Sequence, residues 1–119
     1  MNHNNNKYSA RENILQIGDD KIVFEDNIQE ILEVSNMAIV LMVGRDGYFP
    51  SENVFGVSLL EKKIKWRIDK IKYETGDECP FVGIKFVNNH LYLNNWCDIT
   101  LIVDPFTGEI LERSLPAKS

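Results

Sequence analysis

The chain has 119 residues, of which 44% are hydrophobic and 26% charged, and a formal net charge of −5. A single domain of that length buries about two-thirds of its unfolded surface, so a core needs neither disulfides nor a metal. The acidic balance argues against a protein that coats nucleic acid, and the longest apolar run, Met37–Val43, is far too short to span a bilayer as a helix.

Residues 1–11 are polar, Asn-rich and aperiodic, and are read as a disordered lead-in without the apolar region of a signal peptide. One β domain is expected over 12–115, with a tail over 116–119. Asn13–Ile17 and Lys21–Glu25 are short apolar strands around the turn Gly18-Asp19-Asp20. Ile28–Val34 fits either a helical face or strand alternation. Strand is favoured, because Ser35-Asn36 then makes a tight hairpin into Met37–Val43. That run is apolar on both faces, as expected of a central buried strand.

The loop Gly44–Glu52 carries Tyr48 and Phe49, either folded back on the core or offered to a partner. Asn53–Leu60 is the next strand. In Ile64–Asp69 the residues Ile64, Trp66 and Ile68 alternate with Lys65, Arg67 and Asp69, predicting a half-buried strand with a wet face. The lysines there read as protection of a sheet edge. A polar loop over 71–80 follows, then strands at Phe81–Val87 and Leu91–Asn94 around Asn88-Asn89-His90. Last comes a hairpin over Asp98–Glu112. Its turn, Asp104-Pro105-Phe106-Thr107-Gly108, has Pro at the first central position and Gly at the exit. The expected fold is therefore all-β: about ten short antiparallel strands in two meanders, sandwich-like or strongly bent.

Val57–Trp66 aligns with Val103–Glu112, both strand, turn, short strand. Asp104, Thr107 and Gly108 of the second copy, with Trp66 of the first, resemble the blade repeat of quinoprotein-like (PQQ-type) β-propellers. The first copy has Ser58, Glu61 and Lys62 at the turn positions, and the second has Glu112 in place of the Trp. The resemblance implies local strand–turn–strand units. It does not imply a quinone cofactor, nor a closed propeller, which needs at least about four blades. The profile as a whole (small, acidic, β-rich) is similar to the immunity proteins of bacterial polymorphic toxin systems, which implies a cytoplasmic protein that neutralises a toxin.

Chemistry-bearing patterns are sparse. Neither a GxGxxG nor a P-loop occurs. His3 lies in the lead-in and His90 in a turn. Cys79 and Cys97 lack CxxC spacing and are expected as reduced thiols, Cys97 as a buried strand-end thiol, with a single bridge in a secreted form as the alternative. A Cys97–His90 pair has nothing in sequence to orient it. Adjacent carboxylates in a strand point to opposite faces, and Glu74, Asp77 and Glu78 lack the EF-hand spacing. No metal, cofactor or catalytic group is expected, and the chain is read as a non-enzymatic binder.

Residues 1–60 hold nine acids against four bases, whereas 61–119 balance. A basic protein partner, such as a cognate toxin, is thus expected on the acidic half. The contact candidates are Asp19, Asp20, Glu25, Asp26, Glu30 and Glu33, with Tyr48 and Phe49 as anchors. The alternative is a small-ligand or carbohydrate module using Tyr92, Asn94, Asn95 and Trp96. A further alternative is assembly of copies through β edges. No nucleic-acid or membrane partner is expected.

Overall fold

The computed structural model describes residues 8–44, 46–69 and 79–114, and these hold eleven strands, all in antiparallel pairs. The all-β expectation holds, with one strand more and one meander more than the pattern suggested. The first sheet is β1 (Tyr8–Arg11), β2 (Ile14–Ile17) and β3 (Asp20–Val23). The second is β4 (Asn27–Val34), β5 (Met37–Val43), β6 (Val54–Ser58) and β7 (Lys63–Arg67). The third is β8 (Phe81–Val87), β9 (His90–Asn95), β10 (Thr100–Val103) and β11 (Ile110–Ser114). Each is an uncrossed meander, and none closes into a barrel or propeller.

Tight turns impose that order. Ser35 and Asn36 join β4 to β5, and Asn88 and Asn89 join β8 to β9, all with positive φ. Two such residues make the hairpin turn whose twist matches the strands, and Asn tolerates that conformation better than most. Ile28–Val34 is accordingly strand and not helix.

The three sheets stack face to face around β5. Met37, Ile39 and Leu41 pack with Ile84, Leu93 and Leu101 of the third sheet. The intervening Ala38, Val40 and Met42 pack with Leu15 and Ile17 of the first. The period-two geometry of a strand sends neighbours to opposite faces, which is why an unbroken apolar run suits this one position.

Three sequence expectations fail here. Residues 8–11 of the expected lead-in form β1, an edge strand paired with β2 from Tyr8↔Ile17 to Arg11↔Ile14. The alternation over β7 is interrupted: Ile64 pairs with Val57 but Trp66 pairs with Gly56, so a bulge falls between them. One extra residue reverses the side-chain face. Ile64 therefore looks toward the first sheet and is 42% exposed, while Trp66 and Ile68 are buried against the third. Finally, Cys79 and Cys97 form a disulfide, with Cα atoms 5.7 Å apart. This replaces the expected pair of reduced thiols, and it removes Cys97 as a nucleophile for His90.

The internal echo has a structural counterpart. Its two copies occupy β6–β7 and β10–β11, the third and fourth strands of their respective sheets. They also meet. The Trp66 indole donates to the Pro105 carbonyl at 2.8 Å, and a β-carbon on Gly108 would stand 2.7 Å from the ring. One on Gly56 would overlap the indole as well.

Candidate functional site

The loop after β5 is folded tightly on itself. Gly44 N–H donates to the Tyr48 carbonyl at 2.7 Å, Gly47 N–H to the Gly44 carbonyl at 2.9 Å, and the Asp46 carboxylate accepts from Tyr48 N–H at 3.1 Å. A β-carbon on Gly44 would come 2.8 Å from the Tyr48 carbonyl oxygen. Glycine is therefore what lets this loop close. The result presents Tyr48 outward, at 76% exposure, while Phe49 is partly buried against the core of the second and third sheets.

A second turn comes up beside it from the third sheet. Asn95 is buried, and its Oδ1 accepts from Cys97 N–H at 3.0 Å and Ile99 N–H at 2.9 Å. Its own N–H donates to the Ile99 carbonyl. Such side-chain bonds to nearby amides are how Asn builds turns. Trp96, at the tip, is 72% exposed, and its N–H donates to the Pro80 carbonyl at 2.8 Å. The Cys79–Cys97 disulfide ties this turn to the segment that precedes β8. Tyr48, Phe49, Pro80 and Trp96, with Gly47, line one open cleft of about 510 Å³.

Two candidate sets thus change membership. Tyr48 and Phe49, expected as protein anchors, share their cleft with Trp96 from the carbohydrate set. The rest of that set disperses. Asn95 is a buried structural residue. Tyr92 and Asn94 alternate with the buried Leu91 and Leu93, so they lie on the opposite, outer face of the third sheet. There Lys85 Nζ stands 5.8 Å from the Tyr92 ring centroid, and Asn94 accepts from the Thr100 hydroxyl at 2.9 Å.

The acidic candidates do not form one patch. Asp19 sits in the β2–β3 turn, and Asp20 beside it pairs with Lys62 at 3.5 Å. Glu25 and Asp26 lie at the far end of β3, at the mouth of a separate cavity. On the edge strand β4, Glu30 pairs in register with Leu41 and Glu33 with Ala38, so they point to opposite faces. Glu33 adds its charge to the burial that raises the Tyr8 phenol above its usual range. Glu61 titrates below the usual carboxylate range because Lys65 hydrogen-bonds it at 2.9 Å.

Among the described residues, no group of three or more His, Cys, Asp or Glu is placed to hold a metal ion, and no helix is long and apolar enough to cross a membrane. Glu74, Asp77 and Glu78 lie outside the described residues. What sequence reasoning missed was that Tyr48 and Trp96 line one cleft. No local signal marks a cleft shared by loops of different sheets.

The chain belongs to the family described as a domain of unknown function, DUF7957, whose model matches residues 5–115. No curated protein and no solved structure matches it.

Proposed function

Starting from a family whose description states no activity, we propose that this chain is a non-enzymatic protein-binding module, in its concrete form an immunity-type inhibitor that covers a basic toxin domain. The observation that carries the reading is the open cleft lined by the exposed Tyr48 and Trp96 together with Phe49 and Pro80. Tyr and Trp are the side chains that most often anchor protein interfaces, because they bury a large area for few rotatable bonds. An aromatic pair left in water and held by tight backbone turns is suited to a partner rather than to the chain's own core. Asp19, Glu25, Asp26, Glu30 and Glu33, spread around the first and second sheets, would speed encounter with a basic partner by long-range attraction without needing a single patch. Asp20 contributes less, since Lys62 already offsets it.

The disulfide bears on where this form of the chain persists. Such bonds survive in oxidising compartments and are reduced in the cytoplasm. We therefore place the disulfide-bonded chain in an oxidising compartment, in place of the cytoplasm expected from the sequence.

The test is co-expression with the product of the adjacent gene, read out both by complex formation and by growth of the host. A stoichiometric complex with rescued growth is the expected result. Tyr48→Ala and Trp96→Ala should each weaken it at least tenfold, equivalent to about 1.4 kcal/mol. A stable complex that both substitutions leave intact would overturn the cleft as the docking site. Absence of any complex would overturn the inhibitor reading.

A further inference from the structure

A second cavity, of about 190 Å³, opens between the first and second sheets and shares no lining residue with the aromatic cleft. Its floor is apolar. Phe24 and Met42 are buried there, and the Phe24 and Phe55 rings meet with centroids 5.1 Å apart. Its mouth is charged with both signs. Glu25 and Asp26 enter from the connection between β3 and β4, and Arg67 from β7.

The placement of Arg67 follows from the bulge in β7. Because the register shifts, Arg67 pairs with Phe55 and shares its face, toward the first sheet. The guanidinium carbon lies 4.8 Å from the Phe55 ring centroid, and Nε donates to the Glu52 carbonyl at 2.7 Å. One bond and one stacking contact thus fix the planar group. Among the described residues, no carboxylate comes within ion-pair distance of it, and no cation comes within ion-pair distance of Glu25 or Asp26. A pre-set guanidinium and two carboxylates therefore face one small apolar chamber without neutralising one another.

That charge arrangement selects among ligands. An anion would meet Arg67 but be opposed by Glu25 and Asp26. A cation would meet the carboxylates but be opposed by Arg67. A neutral apolar molecule would strip water from all three charges and return nothing. A molecule with both charges satisfies every group. We propose that this cavity binds a small zwitterion with an apolar body, the chemistry shared by free α-amino acids and short free-ended peptides. The carboxylate is held by the Arg67 fork and the ammonium by Glu25 and Asp26, while the body rests on Phe24 and Phe55. This site is independent of the protein-binding reading and would stand if that reading fell.

The test is calorimetric titration of the full chain with four probes: L-leucine, L-leucyl-L-leucine, N-acetyl-L-leucine and L-leucinamide. The expected result is saturable binding of at least one of the first two. The acetylated form, lacking the cation, and the amide, lacking the anion, should each bind at least tenfold more weakly than that zwitterion. Which of the first two binds better distinguishes a free amino acid from a peptide. Arg67→Gln and Asp26→Asn should each weaken the zwitterion about tenfold, whereas Lys65→Gln, outside the cavity, should not change it. Folding of each variant is checked by circular dichroism, and the blocked probes test the charge requirement on the unaltered chain. The proposal is overturned if neither zwitterion binds saturably, if blocking either charge makes no difference, or if folded Arg67→Gln binds undiminished.

Discussion

Asn53 and Phe81 hold the second and third sheets together by exchanging two hydrogen bonds across 28 residues: Asn53 Nδ2 donates to the Phe81 carbonyl at 2.7 Å, and Phe81 N–H donates to Asn53 Oδ1 at 3.0 Å. Nδ2 also donates to the Met42 carbonyl at 3.1 Å, so this one side chain, 1% exposed, joins the end of β5 to the start of β8. Asn53→Leu keeps the size but strands buried backbone groups, which normally cost about 1–3 kcal/mol each when unpaired. The expected loss is about 3 kcal/mol by urea denaturation, with the slope of the transition unchanged. Because Pro80 precedes Phe81, the substitution should also loosen the wall of the aromatic cleft.

Gly108→Ala should cost about 2 kcal/mol, for two reasons that act together. The residue has φ +79°, which a side chain tolerates poorly, and its β-carbon would crowd the Trp66 ring. In a Trp96→Phe background the remaining tryptophan fluorescence comes from Trp66 alone. It should shift to longer wavelength in the Gly108→Ala protein if the indole is pushed from its slot, and stay unchanged if the turn moves instead.

The Cys79–Cys97 bond spans 18 residues. Closing a loop of that length restricts the unfolded chain by about 3 kcal/mol in the chain-entropy account. Reductant should therefore lower the melting temperature by about 10 °C. A Cys79→Ala/Cys97→Ala double variant should melt at the lower temperature with or without reductant. Intact-mass measurement before and after alkylation checks the bond itself.

Tyr8 gives the stability an alkaline limit. Burial first, and the nearby Glu33 carboxylate second, raise its phenol above the ordinary value of 10.0. The unfolded phenol therefore ionises first as pH climbs. The stabilisation is complete below pH 10.0 and is lost as pH rises from there through the folded value. Urea midpoints measured on either side of that pH should fall less steeply for Tyr8→Phe than for the unaltered chain.

Strands whose own composition determines them were legible. Met37–Val43 and Phe81–Val87 have the boundaries their sequence suggests, the first an unbroken apolar run and the second an apolar-rich segment, each bounded by turn or loop residues. β1 was not legible. Tyr-Ser-Ala-Arg carries one large apolar side chain, and three of the four residues are exposed, so its strand character comes from β2 and not from itself. Ile64 misled for a related reason. Its alternation with Trp66 is real in sequence, but a bulge is a property of the pairing with β6. Of the candidate site, Tyr48, Phe49 and Trp96 were each visible as aromatics in turns. Their common cleft was not, because it depends on bonds distant in sequence: Trp96 N–H to Pro80 and the disulfide hold the β9–β10 turn against the start of β8, and Asn53 joins the segment after the Tyr48 loop to Phe81.

Each strand of the described chain pairs in a sheet only with a sequence neighbour. For an all-β protein this gives low contact order, so little loop-closure entropy stands in the way of each hairpin, and folding should be fast for its class. The three meanders are then a linear array, each stabilised by its own pairing and by the faces of its neighbours. The middle one, covered on both sides, is the element whose amides should exchange last with solvent. The outer sheets, each covered on one side only, should open singly at lower free energy. On that gradient the turn that carries Trp96 sits on an outer sheet, and the loop that carries Tyr48 is anchored to the slowest-opening strand of the molecule.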